Sequence, residues 1–137
     1  MRTKTLVVIL LVLFVSGCSG DAVKLITASG TVTSKGEPLA DVRVEFTKKD
    51  TGALSFAETD GQGRFELRHT HGSLGAEPGT YLVSVFRKGK PISPPPGQTD
   101  PGEQGTTPDE PILMADKSPI EVVVTDRGPN EFVIDIR

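Results

Sequence analysis

Residues 38–46, PLADVRVEF, decide the fold of this chain. Val42, Val44 and Phe46 alternate with charged side chains, and an apolar period of two is typical of a strand that buries one face. The same alternation returns in residues 80–86, TYLVSVF. Both segments therefore predict strands of a sheet that covers a hydrophobic core.

Before and after residues 38–46 in the sequence, turn residues separate further short apolar segments. Gly occurs 15 times and Pro 11 times in the 137 residues, a composition that favours turns and short strands over helices. Turns are expected at residues 35–36, 50–52, 60–63 and 126–130, because glycine supplies the positive φ that tight turns require. We predict an all-β chain with a single seven-stranded antiparallel β-sandwich. Its strands lie near residues 29–34, 42–47, 53–59, 65–67, 80–86, 120–125 and 131–137.

The expected core combines the inward positions of these strands. Each fully buried side chain of this kind contributes about 1.5–3 kcal/mol, so the set suffices for a domain without disulfides. The predicted buried residues are Val32, Leu39, Val42, Val44, Phe46, Phe65, Leu67, Tyr81, Val83, Val85, Val122, Val124, Phe132 and Ile134.

The turn Asp60-Gly61-Gln62-Gly63 has a structural interpretation of its own. The Asp60 carboxylate is expected to accept hydrogen bonds from backbone N–H groups two or three residues on. Gly63 supplies a left-handed conformation, and Phe65 fixes the returning strand to the core. Calcium binding by Asp60 is the alternative, but one carboxylate falls far short of the six to eight oxygens that calcium needs.

The first residues carry the pattern of a bacterial lipoprotein signal. An apolar run, residues 6–15, follows the basic Arg2 and Lys4, and a small residue stands directly before the only cysteine, Cys18. This arrangement predicts that residues 1–17 are a signal peptide and that the Cys18 thiol carries a diacylglycerol. The lipid then anchors the protein to a membrane on the non-cytoplasmic side.

Two other interpretations of this segment are a membrane-spanning anchor and an ordinary signal peptide. The apolar run covers ten residues, whereas a spanning helix takes about 20. An ordinary signal peptide would leave Cys18 as a free thiol in an oxidising compartment, and lipidation avoids that liability. Residues 18–28 are predicted to be a polar tether. Ser19 favours the outer membrane if the cell has one.

Charge excludes one class of partner. Removing Arg2 and Lys4 from the 15 basic residues leaves 13 against 18 acidic residues, a formal charge of −5. A mildly acidic domain lacks the electrostatic footprint for nucleic acid. It is also not drawn to anionic head groups, so membrane attachment is expected to depend on the lipid alone.

Residues 88–111 stand apart from the alternating segments. They hold seven of the 11 prolines, and their low hydrophobicity predicts an extended, mobile loop rather than a second domain. The loop is interpreted either as a tolerated surface insertion or as a segment presented to a partner or to the cell wall.

No cluster of residue types indicates catalysis. His69 and His71 would share one face of a strand and begin a metal site, but no third ligand is evident nearby, and a solvated strand end explains them. A nucleophile motif such as G-x-S-x-G is absent from the sequence. We therefore expect no enzyme activity, no catalytic residue, no metal site and no cofactor.

Three motifs together resemble carboxypeptidase regulatory-like domains. Residues 30–42, GTVTSKGEPLADV, are similar to their opening, residues 59–65, TDGQGRF, to their T-D-x-x-G-x-F hairpin, and residues 78–85, PGTYLVSV, to a P-G-x-Y-x-V-x-V strand. The resemblance implies a transthyretin-like (prealbumin-like) or CnaB-like β-sandwich over residues 29–137. It implies little about function, because this fold has many roles.

Some CnaB-like domains form a Lys–Asn isopeptide cross-link beside a buried acid. The candidates here are Asn130 with Lys24 or Lys35, and Glu45 or Glu66 as the acid. Both glutamates alternate opposite the apolar face, so unrelated surface residues explain the pattern better.

The expected function is a non-enzymatic, membrane-anchored lipoprotein domain with a structural or protein-interaction role in the cell envelope. Its expected partners are the membrane, through the lipid on Cys18, and an envelope protein or the cell wall. The alternative is a carbohydrate- or peptide-binding module that uses loops 70–79 and 88–118. An accessory domain beside a transporter or protease is a third possibility that the sequence does not separate from the first.

Overall fold

The computed structural model describes residues 22–92, 106–114, 116–117 and 119–137. Within these ranges the chain is all-β, without a helix, and its strands form two sheets that pack together as a β-sandwich. The predicted signal peptide, Cys18 and the first part of the tether lie outside the described residues, as do residues 93–105 of the predicted loop. In the part that is described, no helical segment has the length and apolar character required to cross a bilayer.

The described residues contain ten strands instead of the seven predicted. The additional strands are short. Lys35 and Gly36 both have positive φ, 54° and 85°, which is the geometry of a two-residue hairpin turn. The two residues after this turn therefore pair with the end of the first strand as a short second strand. The strands are β1 (Ala28–Ser34), β2 (Glu37–Pro38), β3 (Val42–Lys48), β4 (Leu54–Glu58), β5 (Arg64–Glu66), β6 (Arg68–His69), β7 (Gly79–Arg87), β8 (Glu110–Leu113), β9 (Ile120–Val124) and β10 (Asn130–Ile136).

The prediction of a purely antiparallel sandwich is wrong for one pair. In the first sheet β1 lies between β10 on one side and β2 and β5 on the other. β1 and β10 run parallel, from Ala28 opposite Asn130 to Ser34 opposite Ile136. These strands are far apart in sequence, so no hairpin forces them to run antiparallel.

The second sheet has the order β6-β4-β3-β7, and β8 and β9 both pair with the remaining side of β7. β9 pairs with residues 79–83 and β8 with residues 85–87. Residues 110–111 of the predicted loop 88–111 belong to β8 and pair with β7. Nearer the middle of that segment, Lys90 N–H donates to Thr107 Oγ1 at 2.7 Å and Thr107 N–H donates to the Lys90 carbonyl at 2.9 Å.

Aromatic side chains meet between the two sheets. The ring centroid of Phe46 lies 5.5 Å from that of Phe132, 5.9 Å from that of Phe65 and 6.1 Å from that of Tyr81. The predicted core residues are buried except Leu39, Val122 and Phe132, which are half-buried and pack against the core. The sequence did not indicate five further buried residues, namely Ala28, Ala57, Ala76, Leu113 and Ile136.

A close approach across β1 explains one glycine of this core. A Cβ on Gly30 would collide with the Phe132 carbonyl and approach Phe65 Cζ to 2.8 Å. Only glycine therefore lets β1 pair with β5 and β10 at the same position.

Candidate functional site

The Asp60 carboxylate closes the turn between β4 and β5. Its Oδ1 accepts hydrogen bonds from the backbone N–H groups of Gln62 and Arg64, both at 2.9 Å. Its Oδ2 accepts from Arg64 Nε at 3.0 Å. The two backbone hydrogen bonds, with a smaller contribution from the Arg64 side chain, lower the pKa of Asp60 from its ordinary value of 3.8. Both carboxylate oxygens are therefore engaged by donors within the turn.

The two glycines of this turn differ. Gly63 has a φ of 73°, and a Cβ there would lie 2.6 Å from the Val32 carbonyl oxygen of β1. Gly61 has no positive φ, and a Cβ there would meet open space. The predicted need for glycine therefore has a geometric cause at Gly63 only.

A polar cluster joins Glu77 of loop 70–79 to side chains of β3, β6 and β7. We name it the Glu77 cluster, consisting of Lys48, His69, Glu77 and Tyr81. Lys48 Nζ is 2.9 Å from Glu77 Oε2, and His69 Nε2 is 3.6 Å from Glu77 Oε1. The Tyr81 hydroxyl donates to the Glu77 carbonyl at 2.8 Å. Burial, and next the charge of Glu77, raise the pKa of Tyr81 to about 12. The sequence did not indicate Glu77, which stands in a loop without an apolar pattern.

The Glu77 cluster borders an open pocket of about 580 Å³. His71 also lines this pocket, and its ring centroid is 5.4 Å from that of His69. No group of three His, Cys, Asp or Glu side chains in the described residues has the geometry to hold a metal ion. The Lys48 ammonium beside Glu77 also opposes a cation there.

A second concavity lies on the open side of the sandwich, where the ends of β8 and β9 face the end of β10. We name it the edge groove; its volume is about 510 Å³. Its lining is mainly apolar, and its charged rim consists of Lys117, Asp135 and Arg137. The apolar lining residues are Pro111, Ile112, Leu113, Met114, Pro119, Ile120 and Ile136.

The residues considered for an isopeptide cross-link either have other partners or are exposed. Asn130 Oδ1 accepts from the Thr125 N–H at 2.9 Å, and Asn130 Nδ2 donates to the Thr125 carbonyl at 3.1 Å. Asn130 faces Ala28 at the start of β1, whereas Lys35 follows Ser34 at the end of that strand. Glu45 is 2.9 Å from Arg43 Nε, while Lys24 and Glu66 are exposed.

No protein-family model and no curated protein sequence matches the chain. Among solved structures, a 9R-lipoxygenase from Cyanothece PCC8801 is similar over 81% of this chain, with 16% identity and a TM-score of 0.45. This chain spans 16% of the lipoxygenase chain. A likeness at this TM-score carries no argument about function.

The turn glycines provide a matched test of stability. Gly63→Ala is expected to lower the free energy of unfolding by about 1–3 kcal/mol, because a side chain there is strained and crowded by β1. Gly61→Ala, two residues away, is expected to change it by less than about 0.5 kcal/mol. Urea unfolding of both variants measures the difference, and equal losses would contradict the assignment.

The pKa of Asp60 predicts a dependence of stability on pH. A carboxyl group with a lowered folded-state pKa stabilises the protein above its unfolded pKa, and the effect disappears as pH falls through the folded pKa. Wild type is therefore expected to exceed Asp60→Asn in stability at neutral pH, and the gap is expected to close below the ordinary value of 3.8. Urea unfolding across this range measures it; a gap that is constant with pH would show that the charge has no role.

Proposed function

We propose that this chain is a lipid-anchored, non-enzymatic domain of the cell envelope that acts through protein contacts. The proposal combines the lipoprotein pattern at Cys18 with the edge groove, which is the observation that carries it. Ser19 supports placement in the outer membrane if the cell has one. The proposed partners are the membrane, through the lipid on Cys18, and an envelope protein or the cell wall.

The edge groove supports protein contact for two reasons. Its lining combines seven apolar residues with three charged ones, and protein interfaces likewise combine apolar and polar side chains. It also lies beside β10, which is the last strand of its sheet among the described residues. An edge of this kind can pair with a further strand by main-chain hydrogen bonds.

One observation favours the peptide form of the alternative function. Five residues of the edge groove belong to the loop 88–118 that the sequence indicated as part of a binding site, namely Pro111, Ile112, Leu113, Met114 and Lys117. Carbohydrate binding has less support, because sugars stack on exposed aromatic faces and the only tyrosine, Tyr81, is fully buried. Loop 70–79, with the pocket beside the Glu77 cluster, is the second candidate surface.

Replacing the proposed lipid attachment residue tests the anchor. Cys18→Ser is expected to release the protein from membranes or to leave it unprocessed, because the thiol that accepts the diacylglycerol is lost. Cell fractionation with Triton X-114 partitioning and intact-mass measurement checks this. A mature Cys18→Ser protein that still partitions with detergent would contradict the lipoprotein interpretation, and Ser19→Ala serves as the control for substitution at this site.

Charged substitutions on three surfaces test protein contact. In-cell cross-linking of the tagged full chain is expected to give envelope-protein adducts that Met114→Glu abolishes, because a carboxylate in the apolar groove is costly to bury. Val123→Glu is the control, since Val123 is 54% exposed and does not line the groove. Loss of adducts with Leu74→Glu alone would favour loop 70–79, and adducts that survive all three changes would contradict both surfaces.

A further inference from the structure

The outer edge of β10 is unpaired within the described residues. β10 ends its sheet, with β1 as its neighbour on the other side. Val133, in the middle of β10, is the most exposed large hydrophobic residue that the structure describes, at 73%. Exposed strand edges readily pair with another strand, so this edge is a candidate interface.

The hydrogen bonds between β10 and β1 show which backbone N–H and C=O groups of β10 point away from β1. Lys35 N–H donates to the Ile136 carbonyl at 3.2 Å, so the backbone groups of Ile136 and of alternate residues before it point toward β1. The backbone groups of Glu131, Val133 and Asp135 therefore point to the open edge. Their side chains, together with that of Arg137, lie on the solvent face of the sheet.

The charges on this face select one pairing of two β10 strands. An antiparallel pair with Ile134 opposite Ile134 of a second copy places Glu131 opposite Arg137 twice and Val133 opposite Asp135 twice. A shift to Val133 opposite Val133 places Glu131 against Asp135, and the opposite shift places Asp135 against Asp135. Both shifts bring acids together, which is destabilising in cross-strand pairs.

From this pattern we infer that β10 pairs antiparallel with β10 of a second copy of this chain, centred on Ile134. Arg137 is 94% exposed and lies 3.5 Å from Asp135 Oδ2, so it remains accessible to an incoming Glu131. Within one copy Glu131 and Arg137 are six residues apart on an extended strand, about 20 Å. A Glu131–Arg137 ion pair therefore forms only between copies. The inference rests on the proposed interaction role and adds a second copy of this chain to the proposed partners.

Charge reversal with rescue tests the dimer. Two differently tagged copies of the full chain are expressed together, solubilised from membranes in mild detergent, and captured through one tag. Glu131→Arg and Arg137→Glu are each expected to lower co-capture about tenfold, because each places like charges across the interface. The double variant is expected to restore co-capture to within about twofold of wild type. If Glu131 and Arg137 only stabilised the fold of each copy, the double variant would not restore co-capture, and that result would contradict the inferred pairing.

Disulfide trapping tests the register in the same membranes. Glu131→Cys with Arg137→Cys is expected to give disulfide-linked dimers, because the pairing places these positions opposite each other. Val133→Cys alone is the control and is expected to give none; a dimer through it would overturn the register. Absence of self-capture, with envelope adducts still lost in Met114→Glu, would overturn the dimer and leave the proposed function intact. The opposite result is self-capture that Met114→Glu leaves unchanged, together with no envelope-protein adducts. It would contradict protein contact at the edge groove and leave the dimer intact.

Discussion

The parallel pairing of β1 with β10 is the constraint on which the rest of this structure depends. It joins the first and last described strands over seven residues and brings Phe132 and Ile134 over Phe46 in the core. It succeeds because Gly30 has no Cβ, whose position would be crowded by both the Phe132 carbonyl and the Phe65 ring. Without this pairing the first sheet would lack one of its two long strands, and the second sheet would expose its apolar face.

The same constraint creates the open side of the sandwich. Among the described strands, β10 pairs only with β1, and across from it β8 and β9 share the edge of β7 in two separate segments. β8 pairs with residues 85–87 of β7 and β9 with residues 79–83, and the β7–β8 register shifts between Val85 and Phe86. Met114, Lys117 and Pro119 follow β8 and precede β9 in the sequence, and they line the edge groove. The groove therefore lies where β8, the start of β9 and the residues between them face the end of β10.

Sequence patterns predicted the parts of this fold that depend on local chemistry. Alternation in residues 42–46 and 80–86 gave the correct buried faces, because a period of two needs only one strand to be recognised. The parallel partner of β1 and the short strand β8 were not predictable, since both depend on contacts between distant segments. The Glu77 cluster was missed for the same reason: Lys48 and Glu77 meet only when β3 and the loop before β7 are brought together.

The proposed lipid would strengthen a weak interface between two copies. A formal charge of −5 on each mature chain opposes association in solution, but confinement to one membrane raises the effective concentration of a second copy. Antiparallel strands are related by a two-fold axis perpendicular to their sheet, so the two β1 strands of a β10–β10 pair begin at opposite ends of the joined sheet. Tethers from both ends reach one membrane together when that axis is normal to the membrane. The joined sheet would then lie parallel to the membrane surface, with the edge grooves of the two copies on either side of the axis.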